Sequence, residues 1–284
     1  GKDVGPTLVE HPKVAKIAFT GSSATGRTIN EQAAKHFKRC TLELGGKSPN
    51  IVFADANLDD AVNGAVSGIF AATGQTCIAG SRLLLQESIH DAFLDKLVAL
   101  AKTARMGNPM SPDTQIGPIT TRPQYEKVLG YIDIAKQEGA QVRLGGGPAT
   151  RPECGRGWFV EPTVFSGVNN RMRIAEEVFG PVLSVIPFKD EEEAVAIAND
   201  IRFGLGAGVW TSDIGRAFRM SERIQSGTVW VNTYRVVSYM SPFGGYKDSG
   251  LGRENGMDAI REYLQTKSVW INTGAATGNP FVLR

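Results

Sequence analysis

The chain has 284 residues, of which 42% are hydrophobic and 21% charged, a composition typical of a globular protein and unlike that of a disordered or fibrous chain. The 31 Lys and Arg residues nearly balance the 29 Asp and Glu residues and are dispersed along the chain. This dispersal argues against a nucleic-acid partner and against an electrostatic membrane partner. No apolar run approaches the roughly 20 residues that cross a bilayer.

Cysteine usage indicates the compartment. Cys40, Cys77 and Cys154 are an odd number of thiols, they lack zinc-ligand spacing, and no secretory signal precedes them. These features predict a reducing, cytoplasmic setting and no metal site. Residues 1–6 include no initiator methionine and resemble a loop inside a longer chain, so we expect a domain boundary upstream.

Short β-branched runs alternate with helical patterns along most of the chain, which predicts an α/β fold with a mainly parallel sheet and helices on both faces. Lys16–Thr20 has the pattern of a strand, and residues 21–26 form a glycine-bounded turn. The helix that follows is expected to place Ile29, Ala33 and Phe37 on one face.

The next segment contains two strands and a helix. Residues 41–44 form a short alternating strand that stops at two glycines, and residues 50–53 form the next strand. An apolar stripe at helical spacing begins at Leu58, and Gly74 is placed to end that helix. Cys77 is therefore expected on the connection to the following strand.

Later elements continue the alternation. Ser88 and Asp91 have the spacing of a capping box, which predicts a helix running toward Arg105. Further strands are predicted at residues 182–188, 206–210 and 228–232, and helices are predicted to start near Asp190 and Asp213.

Cys77 is the candidate nucleophile, because it follows a glycine-terminated helix where the backbone is exposed. An unperturbed cysteine is only roughly 3% thiolate at neutral pH, so this role requires electropositive help nearby. Cys40 and Cys154 are interpreted as small buried hydrophobic residues.

Glu43 is the candidate base. No histidine has the spacing of a Cys–His dyad, so a carboxylate is the expected proton carrier. Glu43 lies in an apolar strand directly before two glycines, a setting in which glutamate is uncommon. The alternative is an outward-facing glutamate on a half-exposed strand, and the pattern alone does not separate the two.

The turn between Gly21 and Gly26 is a candidate phosphate site, since free N–H groups and the helix dipole favour anions at a helix N-terminus. It matches neither the Rossmann glycine fingerprint nor the Walker A loop, and a plain strand-to-helix connection has the same pattern.

Five motifs occur in the order found in the NAD(P)-dependent aldehyde dehydrogenase superfamily, which this chain resembles from residue 1 to about residue 271. They are FTGS at 19–22, LELGGK at 42–47, GQTC at 74–77, EEVFGP at 176–181 and PFGG at 242–245. The resemblance implies an aldehyde dehydrogenase-like α/β fold with the remnant of a Rossmann-like cofactor domain, NAD or NADP as cofactor, and a small-molecule aldehyde as substrate.

The resemblance also implies a mechanism. The Cys77 thiolate would attack the aldehyde carbon, the Cys77 backbone N–H would hold part of the oxyanion charge, and hydride would pass to the nicotinamide. Glu43 would then activate the water that hydrolyses the thioester.

Further residues take roles by the same resemblance. Gly21 and Ser22 would meet the cofactor pyrophosphate, Glu177 the nicotinamide ribose and Phe179 the nicotinamide ring, while Phe243 would line the substrate tunnel. Without the resemblance, these positions indicate a turn, a solvated acid and two core aromatics.

Three more positions lie in regions that resemble the surroundings of the family's site. Lys47 and Asn232 match positions near it, with less defined roles. Arg235 lies in the loop that shapes the family's substrate entrance, where it could pair with the carboxylate of a semialdehyde. The alternative is an arginine that is only solvated.

Members of the family are considerably longer on the N-terminal side, so we expect this chain to be a fragment with weak or no activity alone. We expect residues 1–45 to be a cofactor-domain remnant, 46–233 the catalytic domain, 234–265 a return to the cofactor domain, and 266–284 an oligomerisation arm and tail. A strand at 268–271 would pair with a neighbouring subunit of a homo-oligomer, a dimer or tetramer.

Two other functions stay open. A CoA-acylating aldehyde dehydrogenase would use the cysteine without the glutamate base, and Glu43 in its Leu-Glu-Leu-Gly-Gly setting counts against it. A non-catalytic interaction module would keep the fold alone, and the intact motifs count mildly against that alternative.

Overall fold

The computed structural model describes residue 1 and residues 3–282. The helices are α1 Gly5–Glu10, α2 Ser23–Ala34, α3 Leu58–Phe70, α4 His90–Lys102, α5 Arg122–Gln137, α6 Glu191–Asn199, α7 Ile214–Arg223 and α8 Gly256–Arg261. The strands are β1 Lys16–Thr20, β2 Arg39–Glu43, β3 Pro49–Val52, β4 Arg82–Gln86, β5 Gln141–Leu144, β6 Thr163–Ser166, β7 Val182–Phe188, β8 Phe203–Gly204, β9 Gly206–Trp210, β10 Thr228–Val231, β11 Tyr246–Lys247 and β12 Gly250–Leu251.

The larger sheet has seven strands in the order β10-β9-β3-β4-β7-β6-β5. All its neighbouring pairs are parallel except β5 with β6. A smaller sheet places β2 between the parallel β1 and the antiparallel β12, and β8 pairs with β11 separately. The prediction of an α/β fold with a mainly parallel sheet is confirmed.

Helices cover both faces of the larger sheet. Successive residues of a strand point to opposite faces, and in β4 Leu83 and Leu85 join a core with α3 and α4. Leu84 instead joins a second core with α5, α6 and α7. Each face of the sheet therefore has its own buried core.

Short polar side chains start the helices where the sequence predicted them. The Asp190 side chain accepts from the backbone N–H of Glu193, and the Asp213 side chain accepts from that of Arg216. Each bond satisfies one backbone donor that the first turn leaves unpaired.

Two local predictions differ from the structure, and a third is not tested by it. Helix α2 ends at Ala34, so Phe37 lies beyond it with φ 53° and is 97% exposed. The capping box at Ser88 is wrong, because residues 87–89 form a 3₁₀ turn and α4 starts after Ile89 without a side-chain cap. Residues 268–271 form no strand within this chain, and their pairing with a neighbouring subunit stays a prediction.

No helix of the described residues is long and apolar enough to cross a membrane. Within the same residues, no three His, Cys, Asp or Glu side chains are grouped so that they could hold a metal ion.

The two sheets meet where the chain passes from β2 to β3. Glu43 ends β2 and pairs with Gly250 of β12, and its carbonyl accepts from the N–H of Gly21 at 3.0 Å. The segment between α3 and β4, which contains Cys77, approaches the same point because Gly46 packs against the Cys77 carbonyl.

Candidate functional site

A cavity of about 430 Å³ lies between the small sheet and the segment before β4. It is lined by Thr20, Gly21, Ser22, Glu43, Leu44, Gln75, Thr76, Cys77, Gln124, Lys127, Glu177 and Phe179. Both predicted catalytic residues and all four predicted cofactor-binding residues are among them. Arg235 and Phe243 lie outside this lining.

The segment before Cys77 has an uncommon backbone conformation. Ala72, Thr73 and Gly74 follow one another with φ of 51°, 57° and 68°, in the left-handed region that residues with a Cβ rarely adopt. At Gly74 a side chain would also collide with the Gly180 carbonyl. For Ala72 and Thr73 this conformation costs about 1–3 kcal/mol each and persists only where the surrounding structure imposes it.

Hydrogen bonds to the stretch before α5 hold this segment. Thr73 donates its hydroxyl to the Gly117 carbonyl at 3.2 Å, and the Gln75 amide donates to the Pro118 carbonyl at 3.3 Å. The Gln75 amide oxygen accepts from both the N–H and the hydroxyl of Thr120, at 2.9 and 2.8 Å. These bonds fix the backbone directly ahead of the Cys77 thiol.

The Cys77 thiol is half-buried, and its burial raises the pKa. The Ile78 backbone N–H acts in the opposite direction and lowers the pKa, while the nearby Glu43 carboxyl raises it. The groups that lower the Cys77 pKa are thus backbone N–H groups. At neutral pH the thiol holds its proton and needs an acceptor for it.

The Glu43 carboxyl is the least solvated acid of the site. It is 4% exposed, and neither of its oxygens has a hydrogen-bond partner among the described residues. Burial, with a smaller contribution from the Glu254 charge, raises the pKa of Glu43 to about 8, although the Arg253 charge lowers it. The alternative of an exposed, outward-facing glutamate is therefore wrong.

Glu177 lies against the glycines that follow Glu43. The Gly46 backbone N–H donates to its carboxylate at 3.3 Å, and a Cβ on Gly45 would come within 2.6 Å of that carboxylate. Burial raises the pKa of Glu177, while the Gly46 N–H and the Lys127 charge lower it. Only a glycine at position 45 allows the carboxylate to come this close to the backbone that follows β2.

Phe179 reaches the cavity from a segment that a glutamine side chain fastens. It has φ 57°, and the Gln124 amide donates to the carbonyls of Val178 and Phe179 at 2.9 and 2.8 Å. Gln124 lies in the first turn of α5, so these bonds couple the start of α5 to the Phe179 wall of the cavity.

Gly21 and Ser22 form the end of the cavity where α2 begins. Ser22 is the N-cap of α2, and its hydroxyl accepts from the Thr25 N–H at 3.2 Å. A Cβ on Gly21 would come within 2.5 Å of the Phe19 ring. The positive end of a 12-residue helix therefore faces the cavity next to a bare backbone, an arrangement that suits a phosphate group.

Lys47 lies near Glu177 but not on the cavity wall, and among the described residues the structure shows no hydrogen bond between Asn232 and the residues of that wall. Lys47 is 1% exposed, and its Nζ has no hydrogen-bond partner in the described part of the chain. Burial, with the Arg82 charge, lowers the pKa of Lys47 to about 7, although the Glu177 charge raises it. The Asn232 amide pairs with the backbone of Thr211 at 3.0 and 2.9 Å, which ties the end of β10 to the end of β9.

The loop after β10 brings Arg235 beside the Cys77 segment, and Phe243 follows later in the chain. The Arg235 guanidinium donates to the Thr76 hydroxyl and to the Ser67 carbonyl, both at 3.3 Å. Phe243 exchanges two backbone hydrogen bonds of 2.7 Å with Glu254 and packs against the same core as Cys77.

Two buried residues that support the site were not identified from the sequence. Tyr234 is buried, and its hydroxyl donates to the Ile78 carbonyl at 3.0 Å, directly after the thiol. Arg82 is fully buried, and its Nε donates to the Lys47 carbonyl at 2.9 Å. Burial lowers the pKa of Arg82 to about 9. Their partners are distant in sequence, so no local pattern indicated these contacts.

Comparison with known proteins confirms the resemblance to aldehyde dehydrogenases. A model described as the aldehyde dehydrogenase family matches residues 1–269. A betaine aldehyde dehydrogenase of Mesorhizobium japonicum is 50% identical over 273 residues, which cover 96% of this chain and 56% of that protein. The chain thus spans about half the length of the curated relatives that it matches.

Solved structures of similar proteins share the fold. A betaine aldehyde dehydrogenase of Staphylococcus aureus in complex with NAD+ superposes with a TM-score of 0.97 at 41% identity, covering 99% of this chain and 56% of that one. An NAD+ complex of an aldehyde dehydrogenase from Bacillus cereus has a TM-score of 0.93 at 44% identity, covering 96% and 55%.

Proposed function

This chain belongs to the aldehyde dehydrogenase family, and from that premise we propose that it supplies the catalytic part of an enzyme that oxidises an aldehyde to a carboxylic acid with NAD or NADP. One observation carries the proposal. The Cys77 thiol and the buried, unpartnered Glu43 carboxyl line the same cavity. A nucleophile and a base of raised pKa in one cavity suit the formation and hydrolysis of a thioester.

In the first step the Cys77 thiol, which is only half-buried, passes its proton to solvent water, and its sulfur forms a bond to the aldehyde carbon. The carbonyl oxygen becomes the oxyanion of a thiohemiacetal. A backbone N–H fixed at the thiol position stabilises this charge without having to reorient. The hydrogen-bonded segment before Cys77 and the Tyr234 bond after it hold that backbone in place.

The cofactor would lie along the opposite wall of the cavity. Its phosphates would meet the backbone at Gly21 and the start of α2, and its ribose hydroxyls would donate to the Glu177 carboxylate. Phe179 would pack beside its nicotinamide ring. NAD or NADP, when bound there, would accept the hydride that leaves the thiohemiacetal carbon, and a thioester would remain on Cys77.

Glu43 would then act as the base for hydrolysis. Its carboxylate takes a proton from water as the water oxygen attacks the thioester carbon, and the Cys77 sulfur leaves as the acid forms. A pKa of about 8 makes the carboxylate a stronger base than an ordinary glutamate. Its two unpartnered oxygens are free to hold that water.

The wider organisation is part of the proposal. Residues 1–45 and 234–265 would belong to the cofactor domain, 46–233 to the catalytic domain and 266–284 to an arm that joins a homo-oligomer. Three free cysteines favour a cytoplasmic setting. Several relatives are named for betaine aldehyde, which is therefore one of the aldehydes to test.

The test is cofactor reduction followed by absorbance, with NAD or NADP and a panel of aldehydes. It is run on the 284-residue chain and on a longer form that adds the upstream half found in the relatives. We expect turnover of the longer form that Cys77→Ser abolishes, and weak or no turnover of the 284-residue chain alone. Glu43→Gln should keep one burst of cofactor reduction per site and lose steady turnover, because acylation precedes the step that needs the base.

The alternatives give other outcomes. If the unmodified enzyme, with Glu43 intact, reduces cofactor beyond one burst only when CoA is added, the enzyme is a CoA-acylating aldehyde dehydrogenase. Turnover that survives in Cys77→Ser, or no reduction in the longer form, would contradict the proposal.

A further inference from the structure

The guanidinium of Arg235 lies one residue from the candidate nucleophile. We propose that Arg235 makes this site select aldehydes that carry a carboxylate at the end far from the carbonyl, and disfavour aldehydes that carry a quaternary ammonium group. The inference rests on the proposed function, since it names the class of substrate that reaches Cys77.

Two hydrogen bonds fix the guanidinium in this position. Nη2 donates to the hydroxyl of Thr76, the residue before Cys77, and Nη1 donates to the carbonyl of Ser67 near the end of α3. The Arg235 backbone has φ 67°, a conformation uncommon for residues with a Cβ, and these bonds help to hold it. The side chain is only half-buried, so an incoming molecule can reach the remaining N–H donors.

The charge of Arg235 is not neutralised within the described residues. Both hydrogen-bond partners are uncharged, and no carboxylate lies within ion-pair distance of it there. The arginines of α7, in contrast, are each paired with carboxylates. A guanidinium with uncharged partners keeps its capacity to bind a carboxylate through two parallel bonds.

The cleft and the loop beside the guanidinium add no compensating charge, and the Glu43 and Glu177 carboxylates line the other cavity, to whose wall Arg235 does not contribute. Next to it is a cleft of about 380 Å³ that includes Ser67 and the end of α3. All the residues that line this cleft are uncharged. The exposed loop after Arg235 is uncharged too, with aliphatic side chains at Val236 and Val237.

The two classes of substrate differ in the charge that they bring toward the Arg235 guanidinium. A carboxylate approaching this face meets a fixed cation beside the nucleophile. A quaternary ammonium group needs aromatic faces or carboxylates around it, and here it meets a like charge. The inference therefore predicts that betaine aldehyde, for which several relatives are named, is a poor substrate of this chain.

Thiol reagents of opposite charge test the inference without any cofactor or turnover. Sulfonatoethyl methanethiosulfonate and trimethylammonioethyl methanethiosulfonate carry the same reactive group, and mass spectrometry of peptides measures their rates at Cys77. We expect Arg235→Gln to lower the anionic-to-cationic rate ratio by about 3-fold or more, in line with a partly exposed charge pair. Added salt should reduce the same ratio in the unmodified chain.

Controls separate charge from disturbance of the fold. Arg235→Lys keeps the charge and should keep most of the ratio. Arg143→Gln, in β5 at the other edge of the sheet from β10, should leave the ratio unchanged. The anionic-to-cationic rate ratio at Cys40 is the internal control, because a change there would come from outside the Cys77 site. An unchanged ratio at Cys77 in Arg235→Gln would overturn the proposal.

Turnover of the longer form gives the second readout. We compare kcat/KM for succinic semialdehyde, propanal and betaine aldehyde, and expect Arg235→Gln to lower the semialdehyde-to-propanal ratio by about 10-fold, mainly through KM. A normal rate with propanal and no change in this ratio would overturn the selection while the proposed function stands. No turnover of any aldehyde, together with the expected reagent ratio, would overturn the proposed function and leave the charge selection at Cys77 supported.

Discussion

The backbone of Gly46 packs against the carbonyl oxygen of Cys77 so closely that a Cβ at position 46 would collide with that oxygen. The same residue donates its N–H to the Glu177 carboxylate at 3.3 Å. One glycine thus links the nucleophile segment to the carboxylate on the cavity wall. A glycine is required at position 46 because a side chain would not fit there, and not because of its backbone angles.

Gly46→Ala should therefore disturb the site and the fold together. Overpacking of this kind costs about 1–3 kcal/mol, so urea unfolding should show lower stability, and alkylation of Cys77 relative to Cys40 should change. Gly130→Ala is the matched control, because nothing lies within 4 Å of the Cβ added there and it sits within α5. That change should stabilise by up to about 1 kcal/mol. Equal effects of the two alanines would contradict the packing argument.

The raised pKa of Glu43 predicts a pH dependence of stability. Its pKa is about 8 in the folded chain and 4.5 as the reference for the unfolded one. Between these values the folded state holds more protons, so the free energy of unfolding should fall as pH rises from about 4.5 to about 8. Glu43→Gln should reduce this fall, as measured by urea unfolding at several pH values.

Glu31→Gln is the control for that series, because Glu31 is exposed on α2. It should leave the slope with pH unchanged. If the slopes of the unmodified chain and of Glu43→Gln coincide between pH 5 and 8, the Glu43 carboxyl is not buried in solution as it is here.

Local sequence patterns were sufficient for most strands and helix starts, because each depends on a period of two or on a single capping side chain. The start of α6 after Asp190 is an example. The pattern failed at Phe37, where its spacing matched α2 but the helix had already ended at Ala34. Where a helix ends depends on how the chain turns into the next strand, which spacing does not record.

The candidate site was harder to predict from the sequence than the strands were. Alternation placed Glu43 opposite Leu42 and Leu44 but gave no sign of which face was buried. That was decided by packing with residues far along the chain, among them Gly244, whose added Cβ would lie 2.9 Å from the Glu43 carboxylate. The contact between Tyr234 and Ile78 spans 156 positions, and no local signal precedes it.

Lys47 should give a pH dependence of opposite sign to that of Glu43. Its pKa is about 7 in the folded chain against a reference value of 10.5. The unfolded state holds more protons between these values, so stability should rise with pH from about 7 to about 10.5. Lys47→Met should remove this rise and stabilise the chain below pH 7, where a buried ammonium is costly.

Lys13→Met, at an exposed position, is the matched control and should leave the pH profile unchanged. Destabilisation by Lys47→Met at every pH would contradict the prediction, since it would mean that the lysine has a stabilising partner in solution.

The hydrogen bond from Tyr234 to the Ile78 carbonyl should contribute to the geometry of the thiol as well as to stability. Tyr234→Phe keeps the ring and leaves this carbonyl without its donor, which costs about 1–3 kcal/mol when the group is buried. The rate of Cys77 alkylation should change with it, because the carbonyl follows the thiol by one residue. Tyr239→Phe makes the same chemical change at a side chain that is 82% exposed and should alter neither quantity. Loss of stability with an unchanged alkylation rate at Cys77 would show that the bond supports the core and not the nucleophile.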